Sequence, residues 1–254
     1  MATVDRVRAL ALLTTELPRA GLDLAGLAAA WPVLAAARRG DGHPVVVLPG
    51  WLTGDPATVP IRAFLRTMGH DVSGWSLGRN RGPTGRVVRE LRARLDRLHR
   101  SSGRKVSLVG WSLGGVYAQE LARAAPGSVR AIVTLGSPVA RRPSWVRSMS
   151  RLADRHSRES LGGDLLPRPW SEGGSLRVPA TSVYTRADGI VPWRACRYRR
   201  LPRRENIEVR GSHLGLGHNP AVLWLLADRL GTDERGWTPV VPPAALRPFF
   251  PDRR

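Results

Sequence analysis

The sequence predicts an α/β protein built on a parallel sheet that carries helices on both faces. Short, continuously apolar runs recur along the chain, as is typical of strands buried on both faces of a parallel sheet. Segments with helical spacing of apolar residues lie between several of these runs, and such alternation indicates a doubly wound sheet. Six strands are predicted, at 45–48, 72–77, 106–109, 129–135, 180–184 and 207–209.

The chain is predicted to have three parts. Residues 1–39 are rich in Ala and Leu and suggest two helices, separated near residues 18–21. Residues 40–230 contain all the predicted strands and form the α/β domain. Within it, residues 139–175 have weak apolar periodicity and more Arg, Ser, Trp and Gly, which favours an inserted cap. Residues 231–254 contain five prolines and predict a loosely ordered tail.

The charge is strongly positive, at +20, and all but one of the 40 basic residues are arginine. The arginines are scattered in short clusters, without a zinc-finger, RNP or basic-zipper pattern. This favours a solvated basic surface, suited to contact with anionic membranes or substrates, over a nucleic-acid site. Cys196 is the only cysteine, which excludes an internal disulfide and a cysteine-based zinc site.

No segment reaches the roughly 18 uninterrupted apolar residues of a membrane span. Residues 22–37 come closest, but they include Asp23 and Pro32. The first residues lack a convincing cleavage signal for secretion. The sequence therefore predicts a cytoplasmic protein, either free or associated with a membrane surface.

The chemistry is indicated by residues 105–117, KVSLVGWSLGGVY. An apolar strand stops at a G-x-S-x-G pentapeptide, and a helix-compatible run follows at once. Gly110 and Gly114 remove the Cβ atoms that would collide at so sharp a bend. Ser112 is thereby predicted to present its hydroxyl at a helix N-terminus, where backbone N–H groups favour developing negative charge.

A serine hydroxyl needs a base to become a nucleophile, and the base needs a carboxylate to orient it. Asp188 stands four residues after the strand that ends at Tyr184. His213 stands four residues after the run that ends at Val209. Parallel strands end at one edge of a sheet, so both are predicted to lie near Ser112.

Each of these assignments has a rival. Asp164 in the cap and Asp55 beside the first strand compete with Asp188, although Asp55 is explained as a helix N-cap. His218, five residues after His213, competes as the base but is better suited to starting the closing helix or lining a pocket. The remaining histidines are predicted to be surface or turn residues: His43, His70, His99 and His156.

Two backbone N–H groups are predicted to hold the oxyanion formed on attack, those of Leu113 and Trp51. Four tryptophans suggest an apolar, partly aromatic substrate pocket: Trp111, Trp145, Trp170 and Trp193. No cluster of His, Asp or Glu has the spacing of metal ligands, and neither a metal nor a cofactor is predicted.

Three motifs in order carry a family resemblance: VVVLPGWL, VGWSLGG, and the pair YTRADGIVPW and GSHLGLGHNP. With them the chain resembles the α/β-hydrolase superfamily, and within it the bacterial esterase- and lipase-like serine hydrolases. The resemblance implies that fold, a Ser112–Asp188–His213 triad, an acyl-enzyme, and hydrolysis of carboxylic esters in lipid metabolism. The chain departs from the lipase pattern in having Pro49-Gly50 where His-Gly is usual.

Two other functions remain compatible with these residues. An acyltransferase or a thioesterase would use the same triad, because the acyl-enzyme half-reaction is shared. A binding protein could use the same scaffold and its basic surface without catalysis, since a fold alone does not define a function.

Overall fold

The computed structural model describes residues 10–140, 176–234 and 236–251. The strands are β1 (Pro44–Leu48), β2 (Asp71–Ser73), β3 (Val106–Trp111), β4 (Val129–Leu135), β5 (Ala180–Tyr184) and β6 (Arg204–Glu208). The helices with both ends described are α1 (Glu16–Ala35), α2 (Val59–Thr67), α3 (Gly85–Ser102), α4 (Leu113–Ala124) and α5 (Pro220–Gly231). Short 3-10 turns cover Asp55–Thr58, Trp193–Cys196, Gly215–Gly217 and Ala244–Phe249.

The described strands form one parallel sheet in the order β2-β1-β3-β4-β5-β6, which confirms the predicted fold class. Within the sheet, β1 is the first strand in chain order, and β2 pairs with it on one side. The strand β3 then pairs with β1 on its other side. The strand order therefore reverses between β1 and β3. In open parallel sheets, ligands bind beyond the carboxyl ends of the strands at this kind of switch point.

Helices cover both faces of the sheet because successive strand residues point to opposite faces. In β1, Val45 and Val47 pack in the cluster that contains α1, α2 and α5, whereas Val46 and Leu48 pack in the cluster that contains α3 and α4. All four valine and leucine side chains are at most 3% exposed. Each such buried side chain contributes roughly 1.5–3 kcal/mol.

The predicted break at residues 18–21 is wrong, because α1 continues without interruption from Glu16 to Ala35. Pro18 lies in the first turn of α1, where a backbone N–H has no intrahelical acceptor and proline is tolerated. The turn falls instead at Thr15, after a helical stretch at 10–14. None of the described helices combines the length and apolar character needed to cross a membrane.

The predicted bounds were wrong for both edge strands, because β2 spans Asp71–Ser73 rather than 72–77 and β6 spans Arg204–Glu208 rather than 207–209. Among the described strands, β6 pairs only with β5 at the edge of the sheet, so it lacks the continuous apolar run of a strand covered on both faces. Residues 236–251 of the predicted tail are packed rather than loose. Val240 and Leu246 are buried, and the Arg210 N–H donates to the Phe249 carbonyl at 2.7 Å.

The predicted cap falls mostly on residues 141–175, which lie outside the described part of the chain. The division into a helical segment, an α/β domain and a tail therefore stays a prediction.

Candidate active site

Ser112 occupies the sharp turn between β3 and α4 that the pentapeptide predicts. Its backbone has φ 52° and ψ −119°, a conformation that costs a residue with a side chain on the order of 1–3 kcal/mol. The Ser112 N–H donates to the Leu135 carbonyl at the end of β4, at 2.8 Å. Only 7% of Ser112 is exposed. Strain of this kind persists where the surroundings enforce it, and it commonly marks a functional site.

Two glycines allow the turn to form. A Cβ atom on Gly110 would lie 2.3 Å from the Gly115 Cα, and one on Gly114 would lie 2.1 Å from the Leu48 carbonyl oxygen. Both distances are far below any normal contact. The spacing of glycines around Ser112 therefore has a steric cause, which agrees with the sequence-based explanation.

Asp188 and His213 are hydrogen-bonded to each other in a buried position. The His213 Nδ1 atom lies 2.7 Å from Asp188 Oδ2, and these residues are 3% and 9% exposed. A neutral imidazole that donates from Nδ1 keeps its lone pair on Nε2. The other carboxylate oxygen, Oδ1, accepts from the N–H groups of Ile190 at 2.8 Å and Val191 at 2.6 Å. The carboxylate is thus oriented from both sides.

The loop at 209–219 carries His213, the candidate base, and is called the base loop below. It meets the turn at Ser112 at the end of β4. The His213 ring lies against Gly136, where an added Cβ atom would be 2.9 Å from Nδ1. Gly136 directly follows Leu135, whose carbonyl holds the Ser112 amide. Trp111, the residue before Ser112, donates its indole N–H to the His213 carbonyl at 3.2 Å. The fold thereby brings Ser112, Asp188 and His213 to one edge of the sheet.

The rival residues have other partners. His218 lies 2.8 Å, through Nε2, from the Ala20 carbonyl of α1, so its imidazole anchors that helix. The side chain that caps α5 is that of Asn219. Asp55 accepts from the N–H groups of Trp75 and Ser76 and is not a helix N-cap, so that explanation of Asp55 was wrong. Asp164 lies outside the described residues.

The segments predicted to supply the oxyanion donors lie beside Ser112. Leu113 is the first residue of α4 and is fully buried. A Cβ atom on Gly50 would lie 3.4 Å from the Ser112 Cβ, so the loop after β1 runs directly past the serine. Trp51 follows Gly50 in a tight turn, in which Leu52 has φ 59° and the Thr53 N–H donates to the Gly50 carbonyl.

Asn80 holds this loop and was missed by the sequence analysis. It is fully buried, and its side-chain Nδ2 donates to the Pro49 carbonyl at 2.9 Å. Its backbone exchanges hydrogen bonds with Leu52 and Thr53, both at 2.7 Å. Its Oδ1 accepts from the Tyr117 hydroxyl of α4 at 3.1 Å. In the sequence, Asn80 is one polar residue of a Gly- and Arg-rich loop and gives no sign of this role.

The two described tryptophans of the predicted pocket differ in their surroundings. Trp111 is 7% exposed, and its ring lies against Gly217, so its contacts are with the base loop. Trp193 stacks on Tyr184 with ring centroids 5.8 Å apart. Three guanidinium groups lie within 6 Å of the Trp193 ring, those of Arg186, Arg194 and Arg197. Trp145 and Trp170 lie outside the described residues.

A second polar cluster lies at the opposite end of the sheet, where β1 and β2 begin. Asp41, His43 and His70 place one ligand-type atom each within 4.8 Å of one another. Both histidines are buried, so the expectation of surface or turn positions was wrong for them. The prediction that no such cluster exists was also wrong. It was made from spacing along the sequence, whereas His70 comes close to Asp41 and His43 only in the folded chain.

The charges of this cluster are already compensated. Asp41 Oδ2 accepts from Arg104 and Arg130, each at 2.7 Å, and Asp41 Oδ1 lies 2.6 Å from His43 Nδ1. Burial alone would raise the pKa of Asp41, but the hydrogen bonds from Arg130 and His43 outweigh it and hold the pKa well below its usual range. Burial lowers the pKa of His43, and it lowers the pKa of His70 to about 4.

A parallel sheet with a strained serine after its central strand, and an Asp–His pair on two later strand-end loops, is the arrangement of the α/β-hydrolase fold. Solved structures resemble the chain accordingly. A monoacylglycerol lipase from Paleococcus ferrophilus matches with a TM-score of 0.52 and 17% identity, over 75% of this chain and 97% of that one. A naproxen esterase from Bacillus subtilis matches with a TM-score of 0.53 and 16% identity, over 76% of this chain and 85% of that one.

Aspergillus fumigatus lipase B matches with a TM-score of 0.55 and 18% identity, over 80% of this chain and 57% of that one. At these identities the likeness shows the fold, and the chain has the α/β-hydrolase fold. No protein-family model matches the sequence, and no curated protein matches it either.

Proposed function

We propose that this protein is a serine hydrolase that cleaves carboxylic esters through an acyl-enzyme on Ser112. The observation that carries the proposal is the strained turn with positive φ at Ser112, at the same sheet edge as the buried Asp188–His213 pair. The structural neighbours, which are esterases and lipases, support the same class of reaction.

Acylation begins when the Ser112 Oγ attacks the carbonyl carbon of the ester. His213 Nε2 takes the serine proton, and Asp188 stabilises the resulting imidazolium through its hydrogen bond to Nδ1. The ester C–O bond then breaks. The alcohol leaves with the proton that His213 returns, and the acyl group stays on Ser112.

Deacylation uses the same groups with water as the nucleophile. His213 takes a proton from the water as its oxygen attacks the acyl carbon. The bond to Ser112 Oγ breaks, the carboxylic acid leaves, and His213 returns the proton to the serine. The N–H groups of Leu113 and Trp51 are proposed to donate to the oxyanion in both steps, each contributing about 10²–10³ in turnover.

The test is turnover of p-nitrophenyl esters by single variants of the full chain. Ser112→Ala removes the nucleophile with little change in volume, so we expect a folded protein without ester turnover. His213→Gln should lose activity because the base is gone. His218→Gln is the matched control, because His218 lies on the same loop as His213 but its imidazole contacts α1. We expect this variant to keep ester turnover. Loss of activity in the His218 variant alone would identify a different base.

The same experiment can define the substrate class. Acyl chains of increasing length, a thioester and competing alcohol acceptors distinguish an esterase or lipase from a thioesterase or an acyltransferase. A Ser112→Ala variant that retains wild-type ester turnover would contradict the proposed mechanism.

A further inference from the structure

The first turn of α1 lies against both loops that carry the candidate acid and base. Glu16 opens this helix and is only 2% exposed, which is unusual for a carboxylate. Buried carboxylates need partners for their oxygens. The partners of Glu16 therefore indicate what this residue does in the fold.

Each oxygen of the Glu16 carboxylate binds one of the two loops. Oε1 accepts from the Gly189 N–H at 2.8 Å, and Oε2 accepts from the Leu214 N–H at 3.0 Å. Gly189 is the residue directly after Asp188, and Leu214 is the residue directly after His213. One side chain thus links the backbones on which the acid and the base are carried.

Arg19, one turn later on α1, completes the arrangement. Its guanidinium pairs with Glu16 Oε1 at 3.1 Å and donates to the Ala187 carbonyl at 2.7 Å. Ala187 directly precedes Asp188, so the pair contacts the chain on both sides of the acid. A longer contact of 3.5 Å joins Arg19 to the Gly211 carbonyl at the start of the base loop.

Asp23 on α1 secures the rest of the base loop by separate contacts. Its Oδ2 accepts from the Ser212 N–H and hydroxyl, both at 3.1 Å, and its Oδ1 accepts from Asn219 Nδ2 at 2.7 Å. A Cβ atom on Gly215 would lie 1.8 Å from Asp23 Oδ2, so the helix and the loop are in close contact. The base loop is therefore held by α1 along its length.

We propose that Glu16 is a positioning residue for the reaction, which holds the Asp188 and His213 loops at the spacing that their hydrogen bond requires. The inference rests on the proposed function, and it gives α1 a role in supporting the candidate active site in addition to covering one face of the sheet. The chemistry of the side chain explains the choice of residue. A carboxylate has two acceptor oxygens and no donor, so it can satisfy two backbone N–H groups at once.

Glu16→Gln tests this role with almost no change in shape. The glutamine keeps one acceptor oxygen and places an NH₂ group against the second N–H, so one loop loses its partner. We expect kcat to fall by about 10- to 100-fold, because small displacements of catalytic groups have effects of this size. KM should stay unchanged, because Glu16 is not proposed to touch the substrate.

Glu120→Gln is the matched control, because Glu120 also pairs with an arginine three residues later, on α4. It should keep wild-type kcat. Arg19→Gln is the second variant in case Glu16→Gln does not fold. Arg19 is more exposed than Glu16, and its loss should lower kcat in the same direction.

A spectroscopic readout separates this inference from the proposed function. In ¹⁵N-histidine-labelled protein that also carries Ser112→Ala, the downfield Nδ1–H resonance of His213 reports its bond to Asp188 without any turnover. Glu16→Gln should shift or abolish this resonance, while Glu120→Gln should leave it in place. An unchanged resonance in the folded Glu16→Gln protein would overturn the inference. A Glu120→Gln variant that changes the resonance as much as Glu16→Gln does would overturn it as well.

Discussion

Ser112 shows how a local sequence pattern determines a backbone conformation. Its φ of 52° is unfavourable for serine, and it is maintained because β3, β4 and α4 constrain the chain on either side. Gly114 is the residue that permits this constraint, because its missing side chain leaves room for the end of β1.

Gly114→Ala should therefore be destabilising out of proportion to the one methyl group added. The new Cβ would lie 2.1 Å from the Leu48 carbonyl oxygen, which is part of the sheet and cannot move freely. Overpacking of this kind costs typically 1–3 kcal/mol, and we expect the free energy of unfolding in urea to fall by at least about that much.

Gly127→Ala is the control for this prediction, because an added Cβ there meets no atom within 4 Å. It should leave the unfolding midpoint nearly unchanged. Equal midpoints for the Gly114 and Gly127 variants would show that close packing at the turn does not limit stability.

The candidate active-site residues could be proposed from the sequence because a local pattern marks each of them. Ser112, Asp188 and His213 each follow a strand, and the strands β4 and β5 begin and end where the apolar runs do. Glu16 and Asn80 could not be found in this way. Glu16 lies 173 residues from Gly189 in sequence, and only the folded chain brings them together.

Among the larger elements, the loop after β1 is connected to α4 through Asn80. Asn80 uses both of its amide atoms and both of its backbone groups to connect this loop to α4. The loop carries the proposed Trp51 donor, so we expect its position to affect ester turnover as well as stability.

Asn80→Ala should lower both the free energy of unfolding and ester turnover. Removing the amide leaves the buried Pro49 carbonyl and the Tyr117 hydroxyl without this partner, at a cost of about 1–3 kcal/mol. Ester kcat should fall by up to about 10², toward the loss seen when an oxyanion donor is removed. Urea unfolding and p-nitrophenyl ester assays measure the two effects.

Tyr117→Phe provides the comparison, since it removes only the hydroxyl that donates to Asn80 Oδ1. Tyr117→Phe should lower kcat less than Asn80→Ala does. A Tyr117→Phe effect equal to that of Asn80→Ala would mean that the amide contact with Pro49 does not hold the loop.

Edge and end elements account for most errors in the predicted fold. The strand β6 is covered less completely than the central strands, so its residues are mixed in polarity and its apolar run marks only its end. Pro18 suggested a helix break, but a first-turn proline is compatible with a continuous α1. In both cases the local signal was ambiguous, and the tertiary environment decided the outcome.

For the whole molecule, the buried histidine cluster predicts how stability depends on pH. Burial lowers the pKa of His70 to about 4 in the folded protein, where it faces His43, Asp41 and Arg130. An unfolded histidine titrates near pH 6.5. Between these values the unfolded chain binds a proton that the folded chain does not, so stability falls as the pH drops from about 6.5 to 4.

His70→Leu should make this pH dependence shallower, because the substituted side chain binds no proton in either state. The measurement is the free energy of unfolding in urea at several pH values between 7 and 4. His43, whose pKa is also lowered, should preserve part of the slope in the variant. Identical slopes for the two proteins would contradict a buried, neutral His70.

We propose that Ser112 is a nucleophile activated by His213, and such a serine should react with a fluorophosphonate ester. The mass of the folded protein, and of its peptides, measured after this reaction shows whether Ser112 has been modified. We expect one adduct, on the peptide that contains Ser112, and we expect it to be absent in both Ser112→Ala and His213→Gln. Folded wild-type protein that stays unlabelled, or that carries the adduct on another residue, would contradict this proposal.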